Sequence, residues 1–81
     1  MLNEPKNRVA IDRATLARIS LEQVRLWPGC ETVVSVGVLA GQPDRFELKV
    51  IEYGAAQKKV ADRALRAIQR EKLRAYLFKP E

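Results

Sequence analysis

Histidine is absent from this 81-residue sequence, and cysteine and tryptophan occur once each. These scarcities exclude whole classes of chemistry. A Ser–His–Asp or Cys–His nucleophile cannot be assembled within the chain. A structural zinc site needs several Cys or His ligands, and a disulfide framework needs cysteine pairs. Long apolar runs are missing too: the longest, Val33 to Ala40, is broken by Ser35 and Gly37. Spanning a bilayer takes roughly 20 apolar residues, so the sequence reads as non-membrane. The opening Met-Leu-Asn-Glu-Pro-Lys-Asn-Arg lacks the apolar core of a secretory signal. With a single thiol, the reading is a cytoplasmic protein.

What is present is a basic composition of ordinary globular character. The chain is 47% hydrophobic and 31% charged, with 15 Lys plus Arg against 10 Asp plus Glu and a net charge of +5. Those proportions suit one small folded domain and argue against general disorder.

Residues 1–10 have no apolar period and read as a flexible N-terminal tail, leaving 11–81 as a single α+β domain. From Asp12, an expected N-cap, Leu16, Ile19, Val24, Leu26 and Trp27 recur at helical spacing. Arg18 and Glu22 form an i,i+4 pair on the other side. Trp27-Pro28-Gly29 stops this helix, placing it over about 12–26. Val34, Val36 and Val38 then alternate as a strand, and Gly41-Gln42-Pro43-Asp44 signals a turn. Phe46, Leu48 and Val50 alternate against Arg45, Glu47 and Lys49, giving an antiparallel hairpin with one buried and one wet face. Gly54 ends it.

From Ala55 to Phe78 there is neither Gly nor Pro, and strong helix formers dominate. Val60, Ala61, Ala64, Leu65 and Ile68 make its apolar stripe, and Pro80 forbids further continuation. Glu71 and Lys72 fall where the stripe should continue, while Leu73, Ala75 and Leu77 alternate. Residues 71–78 therefore read either as the end of the helix or as a short third strand. The expected architecture is helix–strand–strand–helix: an antiparallel hairpin packed against two helices, with a possible C-terminal strand.

Charge is unevenly spread along these elements. Residues 1–30 carry five basic and three acidic side chains (+2), residues 31–54 two and four (−2), and residues 55–81 eight and three (+5). On a helix, Lys59, Arg63, Arg66, Arg70 and Arg74 fall within about 80° of arc and span about 22 Å. Four of the five are Arg, whose planar fork suits phosphate. The ridge has little aromatic interleaving, and no helix-turn-helix, zinc-finger or aromatic RNA-binding signature accompanies it. The functional expectation is a non-catalytic module that meets nucleic-acid backbone, duplex without sequence reading, through this helix. The runner-up is a homodimeric protein-interaction domain, its acidic hairpin and unpaired strand edge meeting a second copy while the basic face serves solubility. No cofactor or metal is expected.

Other conspicuous residues read as structural. Cys30 follows a helix C-terminus, whose dipole opposes a thiolate. Trp27, at helical spacing with Leu16 and Val24, is expected in the core. Glu47 and Glu52 differ by an odd number of positions, so a regular strand separates them onto opposite faces, and Asp44 belongs to the turn. Gly37 to Gly41 is no phosphate loop, because no Gly-Lys-Ser/Thr follows. Gly37 itself is expected to mark a bulge or a close helix approach.

Overall fold

A computed structural model of the chain describes residues 8–42 and 45–79. The elements run β1 (Val9–Ile11), α1 (Arg13–Val24), β2 (Ser35–Gln42), β3 (Arg45–Glu52), α2 (Lys58–Ala75) and β4 (Tyr76–Phe78). The α+β expectation is met: β2 and β3 form an antiparallel hairpin, and α1 and α2 pack on one face of it. A second, parallel pair joins β1 to β4 and was not foreseen; it sets Val9 against Tyr76 and Ile11 against Phe78. Of this pair, β4 adjoins the hairpin through β3.

Local chemistry explains the helix limits. Asp12 caps α1: Oδ1 accepts from the Thr15 hydroxyl at 2.6 Å and Oδ2 from the Thr15 amide at 3.3 Å. Both bonds favour the carboxylate, so they hold Asp12 below its ordinary pKa, the hydroxyl bond contributing most. At the far end the amides of Leu26 and Trp27 turn back to the carbonyls of Gln23 and Val24, which tightens the chain away from the helix axis. Gly29 follows with φ of +87°, a left-handed conformation that its lack of a Cβ permits. The helix thus closes at Val24, two residues before the expected 26.

The core confirms the alternation of the hairpin. Phe46, Leu48, Val36 and Val38 are buried, and Val50 is half-buried. Leu16, Val24 and Val33 are wholly inaccessible, each burial stabilising the fold by roughly 1.5–3 kcal/mol. Ala61, Ala64, Leu65 and Ile68 supply the α2 side, and Lys72 continues their stripe. Its aliphatic stem covers the core while its Nζ lies 5.8 Å from the Tyr76 ring centroid.

Several expectations are corrected. The tail boundary moves, because Val9 and Ala10 belong to β1; residues 1–7 lie outside the described residues. Both readings of 71–78 hold in part, since α2 runs to Ala75 and β4 takes the rest. Trp27 and Leu26 are surface residues, 38% and 82% exposed, because the chain has left the helix before reaching them. Val34 is exposed at 48%, as it precedes β2 and the buried face starts at Val36. Gly37 faces outward, where an added Cβ would meet at 2.9 Å the side chain of Ile51, the extra residue of the β3 bulge, so of its two expected explanations the bulge holds and the close helix approach does not. Of the expected turn, Gly41 and Gln42 extend β2, and Pro43 and Asp44 lie outside the described residues.

Candidate functional site

α2 is built from residues that favour helix intrinsically and bury one side. Ala61, Ala64, Leu65, Ile68 and Lys72 are buried, and at 100° per residue their mean direction lies about 180° from that of the basic residues. Lys59, Arg63, Arg66, Arg70 and Arg74 all lie within α2 and all are exposed. They form one straight solvent-facing ridge about 22 Å long. The 18-residue helix carries it without a break.

Five cations outside the ridge have partners within the chain, including Lys72 over Tyr76. Arg8 Nη1 donates to the Leu73 carbonyl at 3.1 Å, and Arg25 Nε to the Val33 carbonyl at 2.8 Å. Arg18 faces Glu22 at 3.5 Å. The Arg13 guanidinium lies 5.8 Å over the Phe78 ring. Among the described residues, none of the five ridge cations is engaged in an ion pair or a side-chain hydrogen bond. Arg18 and Arg25 thus each have a partner within the chain.

The two acids of α2 flank the ridge. Asp62 faces the hairpin, where its Oδ1 accepts from the Tyr53 hydroxyl at 2.6 Å. That bond pushes the Tyr53 phenol above its ordinary pKa, with burial adding to the effect. This flank opens into a cleft of about 540 Å³ between β3 and α2, lined by Lys58, Asp62, Arg66 and Gln69 among others. Gln69 reaches across it, its Oε1 accepting the Leu48 amide at 2.8 Å. An amide on the outer edge of β3 is thereby satisfied.

Glu71 lies on the opposite flank, toward the turn that follows α1. A cleft of about 480 Å³ there is lined by Gln23, Leu26, Trp27, Pro28, Ala67, Ile68 and Glu71. A neighbouring cleft of about 390 Å³ shares Ala67 and Glu71 and adds Arg70, Arg74 and Ala75. The exposed tryptophan borders one cleft and the C-terminal half of the ridge the next, and the two clefts adjoin at Ala67 and Glu71. The sequence pattern assigned Trp27 to the core and missed this; the signal available was Pro28, which ends helical packing before the ring can turn inward.

The remaining candidates are unreactive or separated. Cys30 is fully buried, and desolvation pushes its thiol pKa up, with the Glu31 charge adding to the effect. Glu47 and Glu52 pair with Leu39 and Ser35 respectively. An extra residue in β3 at Ile51 brings the two glutamates to the same face, correcting the parity expected of a regular strand. Four β2 positions still separate them, about 13 Å, too far to share a proton. Among the described residues no three of Cys, Asp and Glu gather as metal ligands, and no helix is long and apolar enough to cross a membrane. Comparison with protein-family models, curated proteins and solved structures returns no match.

Proposed function

We propose that this domain is a non-catalytic binding module that meets a nucleic-acid backbone along α2. The observation that carries the reading is the ridge itself: five exposed cations on the side of the helix opposite the core, none engaged internally among the described residues. Its length of about 22 Å equals the axial rise of roughly six base pairs of duplex, each strand carrying one phosphate per 3.4 Å of helix axis. Backbone contact of this kind needs positive charge in line and no base-reading side chain on the ridge. The test is fluorescence anisotropy of a labelled duplex at low salt with the parent chain and with a variant carrying Arg63→Gln, Arg66→Gln and Arg70→Gln. Binding by the parent and its loss in the variant, whose fold is checked by circular dichroism, supports the reading. Absence of parent binding at low salt ends it.

A second reading, self-association, is favoured by the bare outer face of the hairpin. Leu39 and Ile51 are 49% and 61% exposed there, and no element covers them among the described residues. Light scattering distinguishes it: a dimer mass abolished by Leu39→Lys supports it, and a monomer at high concentration removes it. Leu77, half-buried in the middle of β4, is a poorer probe than Leu39, which is more exposed.

A further inference from the structure

We propose that the cleft between the turn after α1 and α2 receives an unpaired nucleobase, stacked on Trp27, from a strand whose phosphates lie along Arg70 and Arg74. The inference rests on the backbone-binding reading of α2, which holds for duplex and single strand alike, and adds to it a base contact that only an unpaired strand can make.

Trp27 is placed as a stacking platform has to be. It is the only tryptophan in the chain and, against its sequence pattern, sits at the surface with 38% exposure. Its backbone is fixed on both sides, its amide donating to the Val24 carbonyl at 3.1 Å and its carbonyl accepting from the Cys30 amide at 3.0 Å. With the backbone held in this way, only the side-chain torsions of Trp27 remain to be ordered when a ligand arrives. Leu26 and Pro28 extend the apolar wall, and Ala67 on α2 keeps the opposite side low.

The charges sort the two halves of a nucleotide. Arg70 and Arg74 line the adjoining cleft, on the line of the ridge, and Glu71 lines both that cleft and the cleft of Trp27. Gln23 lines the latter as well. A carboxylate beside the aromatic wall repels phosphate, so the Trp27 cleft is unsuited to the backbone. It does accept hydrogen bonds from base amino and imino groups, as an acidic side chain does from cytosine N4. Gln23 offers both a donor and an acceptor. An aromatic face, an acceptor for base N–H groups and a pair of arginines in the next cleft together describe a base with its adjoining phosphate. A duplex cannot enter in this way without extruding a base. An apolar peptide would leave Glu71 and Gln23 facing carbon.

The sole tryptophan makes the test direct. The intact chain is titrated at low salt with a 20-nucleotide single-stranded DNA, an RNA of the same sequence, and a duplex of the same length. Trp27 fluorescence reports stacking and anisotropy of the labelled nucleic acid reports binding. Quenching by the single strands, with duplex binding that leaves Trp27 unquenched, supports the inference; the strand bound more tightly identifies the source. Trp27→Ala then weakens single-strand binding by about 5- to 150-fold, the range set by base–aromatic stacking, and leaves duplex binding in place. Trp27→Phe restores most of the loss. If single strands and duplex bind equally without quenching, and the arginine variant weakens both, the cleft assignment falls while the backbone reading stands. If nothing binds the parent chain, both fall. Fluorescence that changes with protein concentration alone assigns the cleft to a second copy and overturns the inference.

Discussion

Replacing Phe78 with Ala is expected to bring the fold close to its stability limit. Phe78 ends β4, is 4% exposed, and pairs in register with Ile11 of β1. Its ring lies 5.8 Å from that of Phe46 at 59°, with the Arg13 guanidinium 5.8 Å from its centroid. The residue therefore fastens three parts of the chain: the N-terminal strand, the hairpin and the end of α2. Truncating a buried Phe to Ala costs about 3–5 kcal/mol through lost transfer energy and the cavity left behind. A tilted aromatic pair adds roughly 0.5–1.5 kcal/mol beyond area burial, so the upper part of the range is expected. An 81-residue chain has a total stability of roughly 4–12 kcal/mol. A loss near 4 kcal/mol thus removes a third or more of it and lowers Tm by about 15–30 °C. Urea denaturation followed by circular dichroism and by Trp27 fluorescence measures the loss, and Phe78→Leu, which keeps most of the volume, should cost under about 1.5 kcal/mol. A loss below about 1 kcal/mol for Phe78→Ala would refute the argument that β4 closes the core.

Three further outcomes follow from single side chains. Ser20 is wholly buried in α1 and its hydroxyl has no hydrogen-bond partner among the described residues. Ser20→Ala removes that orphan and improves helix propensity, raising stability by about 0.5–2 kcal/mol in the same denaturation assay; a clear loss would show that the hydroxyl is satisfied. Gly54 has φ of +63°, and an added Cβ would stand 2.0 Å from the Thr32 carbonyl oxygen. Gly54→Ala therefore requires backbone movement on top of the left-handed penalty and should cost about 2 kcal/mol or more; a neutral substitution would contradict the geometry. Asp12 has its pKa lowered by its bonds to Thr15, so its charged form belongs to the folded state. The stability it adds is complete above the ordinary carboxylate pKa and is lost as pH falls through the lowered value. Asp12→Asn should melt below the parent at neutral pH, with the gap closing in acid; a gap independent of pH would contradict the assignment.

Much of this arrangement is legible in the residues, and the exceptions have physical causes. The alternation of Phe46, Leu48 and Val50 and the helix-forming run from Ala55 are long enough for periodicity to declare itself, so the hairpin, α2 and the ridge all follow. β1 and β4 are three residues each, too short to show a period, and their pairing joins residues near opposite ends of the chain. Lys72 looked like a break in the apolar stripe because its charge is conspicuous, yet its methylene stem continues the stripe. Trp27 shares the spacing of Leu16 and Val24, but spacing says nothing once the helix has ended at Val24, two residues earlier than the pattern implies. Ile51 is an added residue in β3, and one added residue reverses every inside–outside inference beyond it.

The salt dependence of duplex binding tests the central claim most directly, because it counts the phosphates that the ridge neutralises. Five contacts by Lys59, Arg63, Arg66, Arg70 and Arg74 give a slope of log K against log salt near −4.5, so a fourfold rise in salt weakens binding by roughly 500-fold. Substituting Arg63, Arg66 and Arg70 with Gln leaves two contacts, a slope near −1.8 and a loss of only about 12-fold over the same interval. A parent slope near −4.5 that falls by about 2.7 in the variant is the result expected. A shallow parent slope, or one that the three substitutions leave unchanged, would contradict the assignment of backbone binding to α2.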